Sequence, residues 1–103
     1  MTRLTIRRGG TKRVRATFFA DQSAGVARDL TGLALMVIDQ SPNIVPPALA
    51  ILSPATGGQI EVLWTDEQTA PLAPGAGRVW LTLGFENDSG EREVMPTLTF
   101  DVE

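Results

Sequence analysis

The chain has 103 residues, no cysteine and no histidine, nine basic and twelve acidic residues, and a formal net charge of -3 at pH 7. That length holds one core, so a single domain over residues 1–103 is expected. Without cysteine or histidine the chain lacks disulfides, thiol catalysis, the usual general base and the commonest metal ligand; no catalytic residue, metal or cofactor is expected.

Thr2 and Arg3 follow Met1 with no apolar signal core, and no apolar run reaches the roughly 20 residues that span a bilayer. Synthesis in the cytoplasm without a signal peptide, and no membrane partner, are the expectations. Charge is polarised along the chain. Six basic residues (Arg3, Arg7, Arg8, Lys12, Arg13, Arg15) precede the first acid, Asp21, whereas Glu86 to Glu103 carries six acids against Arg92 alone.

Leu4 and Ile6 alternate with polar neighbours and predict a short first strand that ends at Gly9-Gly10. Val14, Ala16 and Phe18 alternate with Arg13, Arg15 and Thr17, so Lys12 to Phe19 reads as a half-buried strand with a basic outer face. Arg13 and Arg15 have two readings: solvent-facing edge protection, or pairing with an acidic face of a neighbouring subunit. The run lacks interleaved aromatics and the protein is acidic, which argues against nucleic acid as a partner.

Ala20 to Arg28 reads as a hairpin-like connection into Asp29-Leu30-Thr31-Gly32. There Asp and Thr side chains can bond nearby backbone N–H groups, Leu30 can plug a core and Gly32 permits an unusual backbone angle. This structural turn leads into Leu33 to Asp39, apolar almost throughout, as expected of a strand covered on both faces or bearing on a partner. Ser41-Pro42-Asn43 breaks it. Ile44-Val45-Pro46-Pro47 then forms an extended apolar segment that either caps one end of the fold or protrudes as a contact loop, making Ile44 and Val45 interface candidates.

Ala48 to Ser53 is the next predicted strand, stopped by Pro54, with a turn at Thr56-Gly57-Gly58-Gln59. Gln59 to Thr65 alternates and carries Ile60, Val62 and Trp64 into the core. Thr65 caps a single helical turn that opens with Asp66 and Glu67 and that Pro71 cuts short. Gly77 to Glu86 is the clearest strand, with Val79, Leu81, Leu83 and Phe85 on one face and Trp80, Thr82 and Gly84 on the other. Trp80 on the outer face is either covered by a loop or an interface anchor, and it is the foremost interface candidate because Trp is enriched at binding hot spots. Asn87 to Gly90 reads as a hairpin turn rather than a calcium loop, and Glu91 to Met95 and Thr97 to Val102 close the chain as a last strand or strand pair in which Pro96 demands an edge position or a bulge.

Many short strands between Gly and Pro turns predict an all-β fold, an antiparallel immunoglobulin-like β-sandwich of about seven or eight strands with at most one short helical turn. The order of signals resembles a small β-sandwich domain of tailed bacteriophages and prophages, similar to the N-terminal domain of siphophage upper baseplate proteins. The residues that carry the resemblance are Ile6-Arg7-Arg8-Gly9-Gly10-Thr11, Asp29-Leu30-Thr31-Gly32, Gly57-Gly58-Gln59-Ile60, Thr65 to Ala70 and Leu72-Ala73-Pro74-Gly75. The chain departs from the pattern at Gly10, often acidic there, and at Ala76-Gly77-Arg78, which replaces an aromatic. The resemblance implies a core role for Leu72 and a virion structural protein, a tail or baseplate adaptor or accessory that meets other virion proteins in many copies, as a homo-oligomer or symmetric array. Alternatives are a capsid decoration protein of the phage head, or a carbohydrate or receptor-binding module that uses Trp80 or Trp64 as a stacking platform. A glycosidase pair of Glu61 with Glu86 is a remote further reading.

Overall fold

The computed structural model describes residues 4–21, 23–42 and 44–103. Arg3 of the basic run, Gln22 of the first connection and Asn43 of the predicted break lie outside the described residues.

The described residues form an all-β fold with ten strands. In order these are β1 (Leu4–Ile6), β2 (Lys12–Thr17), β3 (Phe19–Asp21), β4 (Val26–Ala27), β5 (Met36–Gln40), β6 (Ala48–Ile51), β7 (Gln59–Trp64), β8 (Gly75–Glu86), β9 (Arg92–Val94) and β10 (Leu98–Val102). The larger sheet runs β1-β10-β8-β5, with β9 also on β8; a second runs β2-β7-β6, and β3 and β4 form a two-stranded ribbon. The count exceeds the expected seven or eight because the segment after β2 pairs with itself as β3 and β4. Both β9 and β10 lie on the flank of β8 opposite β5. β9 takes Gly84 to Glu86 and β10 takes Gly75 to Leu81, so Pro96, which has no N–H to donate, falls between the two ladders.

The core collects the inward rows of both large sheets. Val79, Leu81, Leu83 and Phe85 of β8 are all at most 1% exposed, so the alternation legible in the sequence is the alternation of the strand. They meet Ile60, Val62 and Trp64 of β7, and Trp64 stands edge-on to Phe100 of β10 with ring centroids 5.2 Å apart. Phe18 joins the same core beside Phe85 at 5.0 Å. Leu72 is buried at 5%. It follows helix α1 (Asp66–Thr69), where Thr65 and Gln68 form a reciprocal capping box and satisfy two N–H groups that helix geometry would otherwise strand. A 3-10 turn at Ala55–Gly57 adds a second short helical piece beyond the one expected.

The Asp29 turn has the expected chemistry but a different sequel. The Asp29 carboxylate accepts from the Thr31 N–H at 2.9 Å and the Thr31 hydroxyl at 2.6 Å, Leu30 is 1% exposed, and Gly32 sits at φ 75°. The strand expected from Leu33 begins only at Met36. Leu33 donates its N–H back to Leu30, and the ladder to β8 starts at Met36 opposite Gly84. β5 is the outermost strand of its sheet, so four of its five residues are half-buried and Asp39 is exposed, rather than all being covered on both faces.

Candidate functional site

β2 is an edge strand of the second sheet, paired on one side only with β7. Its alternation turns Val14 inward and leaves Arg13 and Arg15 exposed. Both arginines converge on Glu61 of β7, Arg13 Nε at 3.4 Å from Oε1 and Arg15 Nε at 3.1 Å from Oε2. The basic face is therefore partly neutralised within the chain, by the register that sets Arg15 opposite Glu61. The N-terminal cations are compensated similarly. β1 lies parallel to β10, which brings Arg7 Nε within 3.4 Å of the Glu103 carboxylate and lets Arg8 donate to the Glu103 carbonyl.

Past the end of β2 the two large sheets part to leave an apolar groove of about 200 Å³. Ala16 and Phe19 line one wall, and Val94, Met95, Pro96 and Leu98 the other. Phe19 is 41% and Val94 50% exposed, and Val26, 51% exposed, sits on the strand paired with the one that bears Phe19. Three of the four large exposed apolar side chains among the described residues thus lie on the groove or on the ribbon that forms its rim. Sequence reasoning missed this groove, because its walls come from segments more than 70 residues apart in the chain. The one local signal was the doubled aromatic Phe18-Phe19, of which a strand can bury only alternate members.

The fourth exposed apolar side chain is Val45, at 53%. The Ile44 to Pro47 segment combines its two expected roles: Ile44 packs against the core while Val45 projects. Two hydrogen bonds hold the segment, from Trp64 Nε1 to the Val45 carbonyl at 3.1 Å and from Gln40 Nε2 to the Ile44 carbonyl at 3.4 Å. Trp80 occupies the outer face of β8 and is half-buried; its backbone N–H donates to the hydroxyl of buried Ser41 at 3.3 Å. Trp80 and the Arg13–Arg15 pair lie on strands of different sheets and form no common site. Trp64, at 2% exposed, is core and offers no stacking face, and Glu61 and Glu86 also belong to different sheets.

Three carboxyls near the groove end of the molecule are held below their ordinary range. Hydrogen bonds from Ser23 and Ala24 depress Asp21, those from Thr31 depress Asp29, and the Arg28 guanidinium depresses Glu93. Each is a hydrogen bond to the charged form, which makes these groups fixed anions at neutral pH. Among the described residues no cluster of acidic side chains could hold a metal ion, and no helix is long and apolar enough to cross a membrane. What the arrangement offers is contact: an open groove, a projecting Val45 and charged surfaces. No family model matches this chain, and no curated protein or solved structure is significantly similar to it.

Proposed function

We propose that this chain is a bacteriophage or prophage virion structural protein, a tail or baseplate adaptor or accessory that acts by protein–protein contact in many copies rather than by catalysis. On this reading the two large sheets are the layers of an immunoglobulin-like β-sandwich, with the β3–β4 ribbon as an appendage. The protein is made in the host cytoplasm and ends in the virion, bound to other virion proteins and to its own copies.

The observation that carries the reading is the concentration of exposed apolar side chains, Phe19 and Val94 with Val26 alongside, at one groove beside a strand edge. An apolar groove next to an edge strand is the surface an assembling module presents to a partner. The sequence resemblance supplies the setting, because its turn signals span nearly the whole chain. The test is quantitative mass spectrometry of purified particles from the organism that carries the gene, fractionated into heads and tails. Tail fractions containing the protein in several copies per particle support the proposal. Recovery with heads moves it to a capsid decoration role, and absence from particles refutes it.

A further inference from the structure

We infer that two copies of this chain join by pairing their β6 strands antiparallel across a two-fold axis at Ala50, which extends the β2-β7-β6 sheet of one copy into that of the other. The inference rests on the many-copy reading above and names the contact through which a second copy is met.

β6 ends its sheet, and among the described residues β7 is the only strand paired with it. The Leu52 N–H donates to the Gln59 carbonyl at 2.9 Å. In an antiparallel ladder of this register, Ala48 and Ala50 then exchange hydrogen bonds with Leu63 and Glu61, while the N–H and C=O groups of Leu49 and Ile51 point to the open side. A second β6 centred on Ala50 sets Leu49 opposite Ile51 and Ile51 opposite Leu49, so every outward group of the strand finds a partner. Centring the pair on Leu49 or on Ile51 leaves half of them unmet. Pro46 and Pro47 before the strand and Pro54 after it confine the pairing to this segment.

The side chains suit the same arrangement. Leu49 and Ile51 are half-buried against the core, and in the pair each covers the other's remaining open flank. Ala48 and Ala50 are exposed on the outer face, and Ala50 meets its own copy at a non-hydrogen-bonded position, where the Cα atoms approach to about 4.5 Å and a small side chain fits.

The other outer strands of the two large sheets carry features that oppose pairing with a copy of themselves. β2 bears Lys12, Arg13 and Arg15, and the Glu61 that the two arginines share sits one strand further in, on β7. β5 shifts register between Val37 and Asp39 and exposes Asp39. β1 is three residues long and leads directly into Arg7 and Arg8, and β9 is three residues long and includes Arg92 and Glu93. Charge, bulges and shortness keep sheet edges apart. β6 is also short, but no charged residue occurs anywhere from Gln40 to Ile60. The nearest charge on the outer face is Glu61, opposite Ala50 and ion-paired to Arg13 and Arg15; in the joined sheet the two copies of Glu61 stand three strand spacings apart, roughly 14 Å. That exceeds the screening length at physiological salt. A pairing of four residues is weak alone, which suits one contact among several in an array.

The absence of cysteine from the chain permits a direct test by disulfide capture. Ala50→Cys and Ala48→Cys place a thiol on the same exposed face of the same strand. In the Ala50-centred pair the two thiols at position 50 are neighbours within disulfide reach, whereas those at position 48 are roughly 13 Å apart along the strands. On oxidation with glutathione disulfide, the Ala50→Cys dimer is expected to form about tenfold or more faster than the Ala48→Cys dimer, at low and at high salt alike. Ala50→Lys sets like charges on the axis and is expected to raise the concentration at which the β6 pair forms at high salt by about tenfold or more. Equal capture rates, a faster Ala48→Cys dimer, or association untouched by Ala50→Lys overturns the contact. If the wild type is oligomeric by light scattering and the two capture rates are equal, the many-copy reading stands and the β6 edge is left to a different chain. If it is monomeric at every concentration, both fall.

Discussion

Arg28 and Glu93, 65 residues apart, form a two-pronged ion pair, Nε to Oε1 at 3.1 Å and Nη2 to Oε2 at 3.2 Å. The pair fastens the segment before the Asp29 turn to β9, and the guanidinium lies 5.2 Å over the ring of Phe85. It thereby braces β9 next to the groove that Val94 and Met95 line.

Replacing Glu93 by Gln removes the charge and keeps the shape. The Glu93 pKa is lowered in the folded state, so its stabilisation is complete above the ordinary value of 4.5 and is lost as pH falls through the depressed value. The variant is expected to be less stable than wild type by about 1 kcal/mol at neutral pH. That gap closes in acid, where both side chains are neutral. Urea midpoints measured from pH 7 to pH 3 check this; a gap constant across the range contradicts it.

Phe100→Ala empties the place where the two sheets meet edge-on to Trp64. Phe100 is fully buried, so the loss is expected at about 3–5 kcal/mol in chemical denaturation. Trp64→Phe keeps most of the buried area but strands the Val45 carbonyl, and is expected to cost about 1–3 kcal/mol.

Gly58 and Gly25 both adopt positive φ, 66° and 69°. A Cβ at Gly58 falls 2.6 Å from the Phe18 carbonyl oxygen, whereas one at Gly25 meets nothing within 4 Å. Gly25→Ala is therefore expected to cost only the left-handed backbone penalty, about 1–2 kcal/mol. Gly58→Ala adds a clash with backbone that carries the Phe18 N–H to Gly58 hydrogen bond, and should be clearly the worse of the two by thermal melting.

Glu61→Ala leaves Arg13 and Arg15 facing one another without their shared carboxylate. The arginines are 58% and 67% exposed, so the loss is expected at about 0.5 kcal/mol or less per pair, and smaller at high salt. A loss of several kcal/mol, insensitive to salt, would show that Glu61 supports the sheet in another way.

Much of the strand order was legible because period-two alternation survives wherever one face is buried. β8 shows it over Val79 to Phe85, and β7 over Ile60 to Trp64. The capped turn at Thr65 was legible too, since capping needs only residues three apart. The start of β5 was not, because Leu33 and Leu35 pack against the core from a loop and burial alone does not distinguish loop from strand. Arg13 and Arg15 could be assigned an outward face but not a partner; Glu61 became theirs through the β2–β7 register, which no local pattern encodes. The groove was invisible for the same reason, being a property of how β2 and β3 lie against the Pro96 segment.

The central claim is that this chain works by docking in many copies, and the solution mass of the purified wild-type protein tests it most directly. Light scattering after size exclusion, over a concentration series at low and at high salt, is expected to give a mass that is a multiple of 11.1 kDa at low salt and falls as salt screens charged contacts between copies. A mass of 11.1 kDa at every concentration and both salts would contradict the account.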